Sequence, residues 1–271
     1  MSHNFLILTH KSIDHIYTYA AKYLNYNFYI HVDKKIDINL IKKGVRPNIH
    51  FVNNANRVDI KWAGFSMIQA TLNLINFALL HDQNNQFFHL ISGDDVLLSK
   101  TFEWTDSNIY MECRYSMEHS YRMRFNTPHA DTKYQRSFLG KVLTQIYKKL
   151  DKIFPTKEKF YFGSQWFSIR RNELDILMKS VTIHDVKYFK KKLCPDEHFF
   201  QYLVVKNNML DKISNHGNKR FIVFDPEFQR GSSPIFLSIE QLINAQKHNY
   251  WFARKVESRQ MKYFYQYSNE E

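Results

Sequence analysis

The sequence predicts an α/β fold in which a central, mostly parallel sheet is flanked by helices. Three observations support this class. In the first hundred residues, short apolar runs typical of buried strands alternate with longer segments of helical periodicity. Polar or charged residues directly follow several of these runs, as is usual where parallel strands end near a ligand. Hydrophobic residues occupy 44% of the 271 positions and aromatic residues 16%, which suits a chain that buries a large core.

The elements of the first hundred residues follow one another in a regular order. Apolar runs predict four strands, at residues 4–9, 28–32, 49–52 and 86–91. Between the first two strands, Ser12 is expected to cap a helix that runs to about Leu24. A longer, uncharged helix is predicted at residues 64–80, with its polar residues on one side. This helix is therefore expected to be amphipathic rather than membrane-spanning.

The second half is less regular. A basic amphipathic helix is predicted at residues 138–154, with four lysines opposite a Leu/Val/Ile face. Proline and two acids open the segment 195–205, which is the chemistry preferred at a helix N-terminus. The remaining predicted elements are strands at 163–169 and 219–224 and helices at 172–179 and 239–246.

The charge balance narrows the classes of partner. The chain has 38 Lys and Arg against 26 Asp and Glu, a net charge of +12 that attracts nucleic acid, an anionic membrane or a phosphorylated substrate. Neither the dinucleotide fingerprint G-x-G-x-x-G nor a P-loop is found. Two cysteines indicate a reducing compartment, and the first apolar run, residues 5–8, is shorter than a signal peptide requires. A cytoplasmic protein is expected.

Nine short motifs occur in one order over residues 6–255. They are LILTHK (6–11), YIHVDK (29–34), WAGFSMIQA (62–70), LISGDDVL (90–97), FGSQWFSIR (162–170), PDEHFF (195–200), RFIVF (220–224), RGSSP (230–234) and WFARK (251–255). In this set the chain resembles the core-2/I-branching glycosyltransferases, the family that also holds the peptide O-xylosyltransferases. The resemblance implies a GT-A-like nucleotide-sugar transferase fold as a single domain, residues 1–271. Residues 1–100 would form its nucleotide-binding half and residues 101–271 its acceptor and catalytic half.

The resemblance also implies catalytic roles. Glu197 matches the catalytic base of the family, and Arg230 and Lys255 match its diphosphate-binding cations. Side-chain cations would stabilise the departing diphosphate in place of a metal, so no metal or other cofactor is expected. A helix N-terminus would favour the charged carboxylate of Glu197, and the neighbouring Asp196 is expected to cap that helix.

Further positions match the nucleotide site. Asp33 matches an Asp that contacts the uridine, and Ile7 a residue whose backbone lines the uracil site. Asp95 matches a family acid, whereas Asp94 departs from the family pattern. Adjacent acids after a strand also suit Mg²⁺ or Mn²⁺, so a metal role for Asp94 and Asp95 stays open.

Four side chains are candidate walls for the donor or acceptor sugar: Trp62, Gln165, Trp166 and Phe224. Aromatic faces suit the apolar faces of sugar rings, and polar neighbours can fix hydroxyl groups. Core packing is the alternative for each aromatic residue. Phe224 stands where many relatives have Trp. Residues 112–157 have no clear counterpart in the family, so the sequence says least about the acceptor there.

The function expected is inverting, metal-independent transfer of a sugar from a UDP-sugar to a saccharide or glycolipid hydroxyl in bacterial surface glycan synthesis. GlcNAc is the first choice of sugar, and UDP-xylose or UDP-glucuronate are the alternative donors. The lysines of residues 138–154 and 190–192 could hold the enzyme against an anionic inner membrane; the alternative is an ordinary surface helix packed on the core. Two rival functions are a hydrolase of nucleotide sugars and a non-enzymatic protein that binds nucleic acid or anionic membranes. Nucleic acid is not expected, because basic and aromatic residues do not interleave and Glu197 would have no role.

Overall fold

A six-stranded sheet forms the centre of the structure, a computed structural model that describes residues 2–99, 101–105, 107–225 and 233–267. The strands are β1 (His3–Thr9), β2 (Asn27–Val32), β3 (Ile49–Phe51), β4 (Phe87–Ser92), β5 (Val96–Leu97), β6 (Ile109–Tyr110), β7 (Arg114–Tyr115), β8 (Tyr161–Phe162), β9 (Ser168–Arg170), β10 (Arg220–Ile222) and β11 (Phe252–Arg254). The helices are α1 (Asp14–Lys22), α2 (Phe65–His81), α3 (Ser120–Arg124), α4 (Phe138–Ile153), α5 (Arg171–Ser180), α6 (Ile183–Phe189), α7 (Phe199–Lys206), α8 (Ile239–Lys247) and α9 (Ser258–Tyr267).

The strand order of the central sheet is β3-β2-β1-β4-β9-β6. The first four strands are parallel, and β9 runs antiparallel to both β4 and β6. The predicted α/β class with a mostly parallel sheet is therefore confirmed. Strands β6 and β9 come from residues 101–271, the expected acceptor and catalytic half, so both expected halves contribute to one sheet. Two small sheets, β10-β11-β5 and β7-β8, complete the described strands.

Alternation along β1 divides the core into two layers. Phe5 and Ile7 pack into one cluster, with residues of α1, α8 and α9. Leu6 and Leu8 pack into the other, with residues of α2, α5 and α7. Because successive side chains of a strand point to opposite faces, this central strand is buried on both sides and reads as an uninterrupted apolar run.

Two predicted helix starts are wrong. Helix α1 begins at Asp14 after Ile13, and the hydroxyl of Ser12 bonds the Asp14 side chain instead of capping the helix. The segment predicted to begin a helix at Pro195 forms a 3-10 turn, Pro195–Glu197, and α7 begins only at Phe199. His198 interrupts the helical backbone with a φ of −133°.

Helix α4 corrects a third expectation. Of its residues only Gly140 is fully buried, while Leu139 and Ile153 are 64% and 67% exposed. The predicted amphipathic helix is present, but its Leu/Val/Ile face does not pack on the core. The interpretation of α4 as an ordinary surface helix packed by that face is wrong.

Candidate active site

Three parallel strands end in polar residues at one edge of the central sheet. Asp33 directly follows β2, and its backbone N–H donates to the carbonyl oxygen of Thr9, 2.8 Å away, at the end of β1. Its buried carboxylate accepts the N–H of Lys35 at 3.0 Å and lies 3.3 Å from the Lys35 ammonium. Arg57 donates to the Asp33 carbonyl oxygen at 2.8 Å. The carboxylate that was expected to contact uridine is thus held in one position at the strand end.

Asp95 lies three residues after β4 and is almost completely buried. Its carboxylate accepts the backbone N–H and the hydroxyl of Ser92 at 3.0 and 2.8 Å. The guanidinium of Arg254 pairs with the same carboxylate at 2.7 Å. Asp95 therefore orients Arg254 and has little freedom to reach a ligand itself.

Asp94 brings two lysines together. Its carboxylate pairs with Lys11, which follows β1, and lies 4.0 Å from the Nζ atom of Lys255. Burial lowers the pKa of Lys255, against the opposing effect of Asp94. Lys11 was not among the expected site residues, although its position just after a buried strand was the signal that could have identified it. The cluster places two cations at the sheet edge beside the carboxylate of Asp94.

The two adjacent acids do not form a ready metal site. Among the residues that the structure describes, there is no group of three or more His, Cys, Asp or Glu side chains that could hold a metal ion. Asp94 faces two lysines, and Asp95 faces an arginine. A divalent cation would have to displace these ion pairs before it could bind, so the donor set does not fit Mg²⁺ or Mn²⁺.

Glu197 ends the 3-10 turn that precedes α7. Its carbonyl oxygen accepts the backbone N–H of Gly163 at 3.0 Å. The side chain is 37% exposed, and its carboxylate pairs with Arg122 at 2.5 Å. A guanidinium, rather than the expected helix N-terminus, is therefore the charged group that faces the candidate base.

Arg122 is the functional candidate that the sequence did not reveal. It lies on α3, inside the segment 112–157, for which the sequence suggested no functional residue. Its guanidinium also lies over the ring of Phe162, 5.6 Å from the centroid. Nothing in the local sequence connects Arg122 with Glu197, which is 75 positions further along the chain.

Asp196 does not cap the following helix. No side chain caps α7, and the Oδ1 atom of Asp196 is shielded from solvent with no hydrogen-bond partner. Burial and the negative charge of Glu197 raise the pKa of Asp196 to about 7. The residue that was expected to cap α7 is thus an acid with a raised pKa, directly beside the candidate base.

The four candidate sugar walls have different surroundings. Trp166 is nearly buried, with the guanidinium of Arg254 4.7 Å from its ring, and Gln165 beside it is half-buried. Trp62 and Phe224 are 41% and 56% exposed. Core packing therefore describes Trp166 best, while Trp62 and Phe224 have free surface.

A continuous series of contacts joins the candidate base to the sheet edge. The backbone carbonyl of Glu197 accepts the N–H of Gly163. Three residues further along the chain, the ring of Trp166 packs against the guanidinium of Arg254, which forms an ion pair with Asp95. Ile7 lies in the middle of β1, paired with Ile30 and Ile91. Arg230 lies outside the described residues, so its expected role stays a prediction.

Comparison with known proteins identifies the family. The family model described as Core-2/I-Branching enzyme matches residues 5–258. No curated protein matches the sequence. A matching solved structure is the apo structure of the bifunctional glycosyltransferase WbbM, with 10% sequence identity and a TM-score of 0.36. The match covers 92% of this chain and 45% of the WbbM chain, so this chain spans less than half the length of WbbM.

The family model covers nearly all of the described sheet and the whole series of contacts around Glu197. The match defines the class of protein, a glycosyltransferase. The chain belongs to the Core-2/I-branching enzyme family, and the resemblance seen in the nine motifs is confirmed.

Proposed function

We propose that the protein is an inverting, metal-independent glycosyltransferase that moves GlcNAc from UDP-GlcNAc to a hydroxyl of a saccharide acceptor. UDP-xylose and UDP-glucuronate are the next donors to test. The acceptor belongs to a bacterial surface glycan or a glycolipid, and the reaction takes place on the cytoplasmic side of the inner membrane. Two free, half-buried cysteines, Cys113 and Cys194, are compatible with that reducing compartment.

Glu197 is the proposed general base. Its carboxylate removes the proton of the acceptor hydroxyl as the oxygen attacks the anomeric carbon. The bond between that carbon and the diphosphate breaks on the opposite side, and its electron pair leaves with UDP. Attack opposite the leaving group inverts the anomeric centre. Arg122 holds the carboxylate at 2.5 Å and is proposed as the positioning residue of the base.

Lys255, Lys11 and Arg230 are the proposed partners of the diphosphate. The two lysines lie with Asp94 at the sheet edge, beyond the strand ends where ligands of such sheets bind. In the free protein Asp94 faces both ammonium groups, and the incoming diphosphate would replace it as their counter-ion. Positive charge at that point stabilises UDP as it leaves. The lysines and Arg254, already paired with Asp94 and Asp95, support a mechanism without a divalent metal.

The observation that carries the proposal is the contact series from Glu197 through Trp166 and Arg254 to Asp95. A transferase of this kind needs a base and a group of cations held at fixed separation, with the two sugars between them. The exposed rings of Trp62 and Phe224 are proposed to contact those sugars, and Gln165 their hydroxyl groups. A protein that only binds polyanions would need neither the partly exposed carboxylate nor its half-buried arginine partner.

The decisive experiment is a donor screen that measures UDP release from each UDP-sugar, with and without a panel of saccharide acceptors. Acceptor-dependent release with UDP-GlcNAc, retained in EDTA, is expected. Release that ignores the acceptor would favour a hydrolase, and no release with any donor would favour the non-enzymatic alternative. Loss of transfer in EDTA with recovery on adding Mn²⁺ would overturn the metal-independent mechanism and make Asp94 and Asp95 the first candidates for ligands.

A further inference from the structure

Helix α4 packs on the protein by an unusual side. The side that faces the protein is a stripe of four residues spaced three or four apart: Gly140, Thr144, Tyr147 and Asp151. Gly140 lies so close to the backbone of Tyr134 that a Cβ atom would be 2.2 Å from its carbonyl oxygen. The inner side of this amphipathic helix is therefore small and polar.

Polar and aromatic contacts hold that stripe in place. Thr144 Oγ1 and His129 Nε2 are 3.0 Å apart, and the ring of Tyr147 stacks on another aromatic ring at 5.4 Å. Asp151, the acid of α4, pairs with Arg124 of α3 at 3.1 Å. The acidic charge of the helix is thus turned inward and neutralised.

The apolar stripe of α4 faces outward. It consists of Phe138, Leu139, Val142, Ile146, Leu150 and Ile153, all of them exposed, and Phe154 continues it beyond the helix end. Lys141, Lys149 and Lys152 are exposed next to this stripe, and Lys148 is half-exposed. A free helix face that combines large apolar side chains with lysines is typical of helices that lie in the plane of a membrane interface. These residues together are called the α4 face below.

We infer that the α4 face is a docking surface for a membrane that contains anionic lipid. The charge of the α4 face selects this occupant. Two copies paired through α4 would bring two sets of four lysines together, whereas anionic headgroups neutralise them. The chain carries a net charge of +12, which adds long-range attraction to such a surface. None of the described helices is long and apolar enough to cross a membrane.

The position of α4 connects this surface to the candidate site. At its N-terminal end, Arg136 lies over the ring of Trp62, 4.9 Å from the centroid, and Gln135 donates to the carbonyl oxygen of Ala63 at 2.9 Å. At its C-terminal end, α4 is fixed to α3, which carries Arg122, the partner of Glu197. The inference rests on the proposed function here: docking by α4 would present a lipid-linked acceptor beside the candidate base.

Vesicle co-sedimentation tests the inference in the absence of any substrate. The full chain is mixed with phosphatidylcholine vesicles, with or without phosphatidylglycerol, at low and high salt. Binding is expected only with phosphatidylglycerol, and it should weaken as salt rises. Equal binding to both vesicle types, or no binding at low salt, would overturn the inference.

Two variants separate the contributions of the lysines and of the apolar side chains of the α4 face to membrane binding. Changing Lys141, Lys148, Lys149 and Lys152 to Gln should lower the partition coefficient at least about 30-fold, which is the combined effect of two lysines at roughly fivefold each. The triple variant Leu139→Gln, Ile146→Gln, Leu150→Gln should lower it at least about 10-fold, because these side chains would enter the interface. A matched control, with Lys42, Lys179, Lys247 and Lys262 changed to Gln, has the same net charge as the lysine variant. An equal loss in the control would overturn the inference in favour of a net-charge effect.

Sedimentation velocity and UDP release keep the alternatives apart. A concentration-dependent dimer of the wild type that the triple variant abolishes would assign the α4 face to a second copy and overturn the inference. All variants are expected to unfold at the wild-type temperature and to keep wild-type UDP release with a soluble acceptor. Failure of the vesicle experiment with intact transfer would refute only the docking surface. Normal vesicle binding without transfer from any donor would refute only the proposed function.

Discussion

Helices α2 and α4 are 17 and 16 residues long, and they use their apolar residues in opposite ways. Helix α2 lies against β1 and β2 and the turn that carries Glu197, and eight of its residues are buried. Helix α4 lies on α3 by a polar stripe and leaves most of its leucines and isoleucines exposed. Hydrophobic periodicity identifies a helix in both cases, but it does not say whether the apolar face packs on the core or lies exposed at the surface. The two regions therefore differ in what their apolar residues are for.

The largest expected effect is on catalysis, at Glu197, which lies on the turn that packs against α2. Glu197→Gln keeps the size of the side chain and removes its basicity, so turnover should fall by about 10²–10⁴ while donor affinity stays within a few-fold. Steady-state transfer and donor titration measure the two quantities. The control is Glu158→Gln, an exposed acid beyond α4. Near-normal turnover of Glu197→Gln would remove this residue from the role of base.

The second effect is on stability, and it compares the two helices directly. Leu74→Ala in α2 removes a completely buried side chain and should lower the free energy of unfolding by about 2–5 kcal/mol. Leu139→Ala in α4 removes an exposed one and should change it by no more than about 0.5 kcal/mol. Urea unfolding of both variants measures the difference. Similar losses would mean that the α4 face is covered in solution.

The third effect concerns the cations at the sheet edge. Lys255→Ala and Lys11→Ala should each weaken UDP binding by about 1.5–3 kcal/mol, because each removes a charge-assisted contact to phosphate. Uridine binding should change far less, and Arg230→Ala should behave like the lysine variants. Calorimetric titration with UDP and uridine distinguishes these cases. Equal losses for both ligands would point to a general disturbance of the site.

The smallest expected effect is a pH dependence of the free energy of unfolding, caused by Asp196 beside the candidate base. A pKa of about 7 for Asp196 in the fold, against about 3.9 in the unfolded chain, means that the folded state binds its proton more tightly. The stability that this provides is complete below about pH 4 and is lost as pH rises towards 7. Asp196→Asn, which mimics the neutral acid, should therefore raise the free energy of unfolding at pH 8 by about 1–3 kcal/mol and leave it nearly unchanged at pH 4.

Urea unfolding at both pH values measures this linkage. Asp211→Asn, at an exposed position, is the control and should show no such difference. If Asp196→Asn were equally stabilising at both pH values, burial of a charged Asp196 would not be the cause.

The four parallel strands of the central sheet and five of the nine described helices could be predicted within about two residues, because buried strands and amphipathic helices have distinct periodicities. The antiparallel strand predicted at 163–169 forms only at Ser168–Arg170, and the two-residue strand β6 was not predicted. Helix starts were less predictable. The acids after Pro195 have helix-start chemistry, but the chain turns there so that Glu197 meets Arg122 and Gly163. Partners far apart in the chain outweighed the local preference.

The sequence by itself determined the α/β class, the family, the candidate base and the polar strand ends. Each of these features depends on residue types at short, fixed spacings along the chain, and such spacings can be read directly from the sequence. Only the tertiary structure decided that Asp94 gathers Lys11 and Lys255, that Arg122 faces Glu197 and that α4 turns its apolar stripe outward. These three features depend on which surfaces meet after folding. The physical reason is that ion pairing and burial are set by distances in space, which residue spacing along the chain does not fix.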